Sequence, residues 1–178
     1  MTSYHFMMNK LFAFLLMMAA CSPRISITSD FDPNVDFNSY RTFALAPMEE
    51  PYDPAFPMFD NEMNRQRIED AIKREMRARG FTVNEEQPHV LVDYHIVIKD
   101  RTSIDSYHPQ GKGFWQPHEV EIYQYTEGTI VIHLVDQNSD QLIWQGVGAS
   151  LLRSTASNSE DRINKAIALI YEAYPATQ

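Results

Sequence analysis

Val120-Glu-Ile-Tyr-Gln-Tyr-Thr126, Thr129-Ile-Val-Ile-His-Leu-Val135 and Leu142-Ile-Trp-Gln-Gly-Val147 are three runs rich in β-branched and aromatic residues, standing almost end to end. Such residues fit the pleated, half-buried surface of a sheet. Glu127-Gly128 and Gln137-Asn-Ser-Asp140 read as the turns between them. Connections this short make sequential strands antiparallel neighbours, because a parallel return needs a crossover of a dozen or more residues. Upstream, Val90-Leu-Val-Asp-Tyr-His-Ile-Val-Ile98 is a further long strand, and residues 24–29, 40–45 and 81–83 are shorter extended pieces.

Two helices flank these strands. From about Asp60 to Arg79, Ile68, Ala71, Ile72 and Met76 recur at helical spacing with charged residues largely off that stripe, and Gly80 stands where a helix ends. A second helix begins near Ser157, three residues before Glu160 as in a capping box, carries Ile163, Ala166, Ile167, Ile170 and Tyr174 as its stripe, and stops at Pro175. Two single-striped helices need one sheet face to cover. The expected fold is α+β: a two-layer sandwich of an antiparallel or mixed β-sheet with two helices packed on one face. Residues 46–59, which carry Pro47, Pro51, Pro54 and Pro57, are expected as an irregular crossing loop, and residues 99–118, with Pro109, Gly111, Gly113 and Pro117 as breakers, as a second irregular loop.

At the N-terminus, Lys10 precedes the apolar run Leu11–Ala20, which is about half the roughly 20 residues a spanning helix needs. Residues 1–20 therefore read as an export signal, with Met1, Met7 and Met8 as alternative starts and Met8 the best placed before Lys10. Met18-Ala-Ala-Cys21 resembles the lipobox of bacterial lipoproteins, with Met in place of the usual leucine. Cys21 is the sole cysteine. An exported chain with one thiol gains no internal disulfide, so its position is best explained by lipidation. Ser22 follows it rather than Asp, which in a Gram-negative cell leads us to expect the outer membrane, facing the periplasm. Residues 21–178 are then one domain. With a formal net charge of −9, one unit more acidic once Lys10 is removed, the chain is unsuited to nucleic acid and feels no pull toward anionic lipid.

Several stretches together resemble the DUF4136 family of bacterial envelope lipoproteins: Ser29-Asp-Phe-Asp32, Asp36-Phe37, Tyr40-Arg-Thr-Phe43, Arg79-Gly-Phe81, Val90–Tyr94, Gly128–Ile132, Leu142-Ile-Trp-Gln-Gly146 and the closing Tyr174-Pro175. The resemblance covers nearly all of residues 21–178 and implies an α+β domain on a lipid anchor; it brings no catalytic residues, because none is established for the family. The chain departs from the family pattern at His89 and His133, where an acidic residue is common, and at Gln145, where arginine is.

Chemistry is harder to find. His89, His95, His108, His118 and His133 show none of the paired close spacings of a zinc site, so isolated surface histidines and no metal are expected. His108 and His118 are the pair most able to meet, with Asp105 or Glu119. No G-x-S-x-G elbow accompanies Ser150, Ser154 or Ser157, and Gly111-Lys-Gly113 is too short for a phosphate loop. Glu49-Glu50, Glu85-Glu86 and Glu160-Asp161 lie on polar segments where nothing raises a carboxyl pKa. One feature stands above background, the aromatic set Tyr107, Phe114, Trp115, Tyr123 and Tyr125. Tyr123 and Tyr125 share one strand face and Val120 and Ile122 the other, a pattern that favours burial of most of them; exposed, they would be a partner surface. Trp144 alternates with Leu142 on its strand, which puts both on one face, and reads as core. The expected function is that of a non-catalytic binding or structural module with no cofactor, held at the membrane by lipid on Cys21 and contacting an envelope protein. The alternative is a small-ligand- or metal-binding envelope protein or an unrecognised enzyme.

Overall fold

The computed structural model describes residues 25–107, 119–152 and 159–175. Six strands form one mixed sheet: β1 (Ser26–Phe31), β2 (Thr42–Leu45), β3 (Thr82–Val83), β4 (Val90–Tyr107), β5 (Glu119–Asp136) and β6 (Gln141–Leu152), in the order β1-β6-β5-β4-β2-β3. β4, β5, β6 and β1 are antiparallel neighbours, while β2 runs parallel to both β4 and β3. Two helices, α1 (Glu62–Ala78) and α2 (Ser159–Glu172), complete the α+β fold.

The core follows from the two periodicities. Ile68, Ala71, Ile72 and Met76 of α1 and Ile167, Ile170 and Tyr171 of α2 are buried against Val90, Val92 and Tyr94 of β4, Ile132 and Leu134 of β5 and Trp144 of β6. Trp144 stacks on Tyr171 with centroids 5.4 Å apart. Gly146 lies beneath both layers because a Cβ there would come within 2.4 Å of the Trp144 ring and 2.5 Å of Ile170. The helix ends follow the capping rules: Asn61 accepts from the Asn64 backbone N–H at the start of α1, and Gly80 takes φ +86° after its end.

Three expectations need correction. Residues 99–107 are strand, not loop: β4 continues to Tyr107, paired with Glu119. Proline and glycine breakers at 109, 111, 113 and 117 all lie outside the described residues, and Lys99–Ser103 lack alternation because water reaches both faces of the strand there. Glu127-Gly128 is not a turn either. It lies mid-strand, Gly128 opposite Ile98 on β4 and Ser150 on β6, and of the described glycines Gly80 alone has positive φ. A Cβ at Gly128 would sit 2.9 Å from Leu152, so this glycine serves close packing. Finally, Leu142 does not share a face with Trp144. A bulge where the register shifts at Leu134/Val135 turns Ile143 and Trp144 both inward and leaves Leu142 half exposed.

The proline-rich crossing is irregular, as read, and it is pinned. Arg65 of α1 donates to both carboxylate oxygens of buried Asp60 at 2.7 and 2.8 Å, to Glu50 O at 2.7 Å and to Pro51 O at 3.0 Å, with its guanidinium over the Tyr52 ring. The Arg65 guanidinium holds the Asp60 carboxyl below the usual carboxylate range.

Candidate functional site

Alternation along β4 sends Val90, Val92 and Tyr94 toward the helices and Leu91, Asp93, His95 and Val97 to the opposite, uncovered face. On that face the register lines up Asp93 with His133 of β5, His133 with Gln145 of β6 and Gln145 with Asp30 of β1. A polar row thus crosses four strands between the apolar rows Leu91–Val135 and Val131–Val147. Positions 133 and 145, two of the departures from the family pattern, are one cross-strand pair.

His95 and His133 lie edge to face, with centroids 5.3 Å apart. Asp93 Oδ2 is 2.9 Å from His95 Nε2 and 3.9 Å from His133 Nδ1. The far nitrogens are also engaged, His95 Nδ1 with Glu50 Oε1 at 3.0 Å and His133 Nε2 with Gln145 Oε1 at 3.1 Å. Asp93, His95 and His133 are each about a quarter to a third exposed, accessible yet held. Glu50 reaches His95 because Arg65 grips its backbone carbonyl.

These histidines are therefore not isolated, contrary to the sequence-based expectation. The readable signal was Asp93-x-His95, which puts two ligating side chains on one strand face. His133 could join them only once the pairing of β4 with β5 was known. His89 belongs elsewhere, its Nδ1 accepting from the Arg41 backbone N–H. His108 and His118 lie outside the described residues, as do Cys21, Phe114 and Trp115. Tyr107 ends β4.

Tyr123 and Tyr125 are brought to the surface, 51% and 37% exposed, beside Ile122 at 63%; the burial expected for them is overturned. The reason is length. Eighteen-residue strands reach about 60 Å, whereas β6 pairs β5 only as far as Thr126 and β2 pairs β4 only as far as Val92. Beyond that, Arg101–Tyr107 and Glu119–Tyr125 form a two-stranded ribbon with no third strand among the described residues. At its root the Thr126 hydroxyl donates to Asp100 and Arg101 pairs with Glu127. A separate apolar cavity of about 110 Å³ opens between helices and sheet beside Ile68, Ile96, Ile98, Ile130 and Ile163. It is smaller than the roughly 300 Å³ at which ligand pockets begin.

The family model described as "Domain of unknown function (DUF4136)" matches residues 27–176. No curated protein sequence matches the chain. Among solved structures, the chain is similar to a PDZ domain protein from Parabacteroides distasonis, at 14% identity and a TM-score of 0.54 over 93% of this chain and 40% of that one. This chain thus spans less than half of that protein, and the likeness is one of fold. A weaker similarity in outline is to the PelC dodecamer from Paraburkholderia phytofirmans, at 9% identity and a TM-score of 0.48 over 83% of this chain and 94% of that one. Another is to a minor lipoprotein from Acinetobacter baumannii, at 10% identity and a TM-score of 0.35 over 75% and 88%.

Proposed function

The chain belongs to the DUF4136 family, and from that premise we propose that it is a non-catalytic module of the cell envelope. It is anchored by lipid on Cys21 in the outer membrane, faces the periplasm, and binds a partner protein through the distal ribbon of β4 and β5. The observation that carries this reading is the ribbon itself. A two-stranded ribbon is marginal in water, and its outer edges present rows of backbone donors and acceptors that invite a further strand. Ile122, Tyr123 and Tyr125 place large apolar area beside those edges. An aromatic anchor next to a pairing edge suits a protein partner, and the acidic chain disfavours nucleic acid and anionic lipid.

Photocrosslinking in the native cell tests this. A photoreactive residue at Ile122 should give one discrete protein adduct, and the same residue at exposed Arg77 on α1 should give none. Equal adducts at both positions, or none at Ile122 in correctly anchored protein, would overturn the binding assignment.

A further inference from the structure

We propose that Asp93, His95 and His133 form a binding site for a divalent transition-metal ion of the zinc class on the uncovered face of the sheet. Hydrogen bonds outside the cluster orient both rings. An oxygen of Glu50 faces His95 Nδ1 and an oxygen of Gln145 faces His133 Nε2, and an oxygen there accepts, so in the neutral form of each ring that nitrogen carries the N–H. The inward nitrogens, His95 Nε2 and His133 Nδ1, then present lone pairs. Both point at Asp93 Oδ2, itself an acceptor. With both rings neutral, three acceptors converge with no donor between them, and a cation, either a proton on an imidazole or a metal ion, is what satisfies all three.

The donor set and its spacing fit that ion. Two imidazole nitrogens and a carboxylate oxygen suit zinc and its first-row neighbours rather than calcium or magnesium, which take oxygen cages. Ligands about 2.0–2.1 Å from a tetrahedral ion stand roughly 3.4 Å apart, and the three ligand atoms here lie within 4.8 Å of one another, two of the spacings being 2.9 and 3.9 Å. Among the described residues Asp93 pairs with these histidines alone, so no lysine or arginine competes for its charge. The outer partners complete the pattern: a metal-bound imidazole ordinarily donates its other N–H to a carboxylate or amide oxygen, which fixes ring and tautomer. Glu50 and Gln145 stand in those two places. This leaves a fourth position open to solvent or to a ligand group from a partner.

Titration of the purified, metal-stripped full chain with Zn²⁺ should show one tight equivalent by calorimetry, and Co²⁺ should give the absorption of an imidazole-ligated ion. His95→Gln and His133→Gln should each weaken Zn²⁺ binding at least about 100-fold, and Glu50→Ala, which removes an outer partner only, about 10- to 100-fold. His89→Gln should bind as the parent does. Circular dichroism of each variant separates lost ligation from lost fold. Absence of stoichiometric binding, or binding that survives both His95→Gln and His133→Gln in folded protein, overturns the site. The crosslinking outcome at Ile122 has no bearing on either result.

Discussion

The Tyr40 hydroxyl donates to Asp136 Oδ2 at 2.6 Å, and the other Asp136 oxygen accepts from the Asn138 and Ser139 backbone N–H groups, tying the start of β2 to the β5–β6 turn. These bonds hold the Asp136 carboxyl below its usual range, the Tyr40 hydroxyl first among them, while burial and the nearby carboxylate push the Tyr40 hydroxyl well up. A carboxyl whose folded pKa is depressed adds stability above the unfolded value, about 3.9 for Asp. That stability is lost as pH falls through the folded value. Tyr40→Phe removes the main cause of the depression. The variant should be less stable by about 1 kcal/mol at pH 7 in urea unfolding, with the gap to the parent closing below about pH 4. A gap that stays constant into acid would mean the hydroxyl acts by packing alone.

At the scale of elements, Arg65 is the residue on which the crossing segment depends. It links α1 to Glu50, Pro51 and Asp60, and its side chain and that of Asp60 are only 11% and 4% exposed. Arg65→Met keeps the length of the side chain and strands the Asp60 carboxylate, so unfolding should come about 3 kcal/mol more easily, and Glu50 should lose its hold on His95. Histidine resonances that stay unshifted in the variant would show that Glu50 is placed by other means. The helices and the inner halves of the strands were legible because each carries one apolar face; Ile68, Ile72 and Met76 could face nowhere but the core. The stretch Lys99–Ser103 of β4 was not, since a strand wet on both faces leaves no alternation to read. Gly128 misled for a related reason: a glycine needed for close approach to Leu152 looks, in sequence, like one needed for a turn.

For the whole molecule, the two candidate sites sit on opposite halves of one hairpin, and only half of that arrangement can be read in the chain. Asp93 and His95 announce themselves by spacing, but His133 reaches them through a register set by eighteen pairs between β4 and β5. The same register separates the sites. Among the described side chains of β4 and β5, the fully buried ones lie from Val90 to Ile98 and from Ile132 to Leu134, and those from Lys99 to Ser103 and from Ile122 to Tyr125 are exposed. Replacing residues 101–125 by Asn-Gly would join Asp100 to Thr126, which already face each other, through a two-residue hairpin turn. Removal of exposed surface costs little and the shorter loop closes more readily, so the unfolding free energy should change by less than about 1 kcal/mol. The shortened protein should lose its partner while still binding one Zn²⁺. If it unfolds instead, the ribbon belongs to the core's stability and its exposure is no sign of a partner. If it folds and loses zinc, the ion is held from residues 101–125 and not from the row at Asp93.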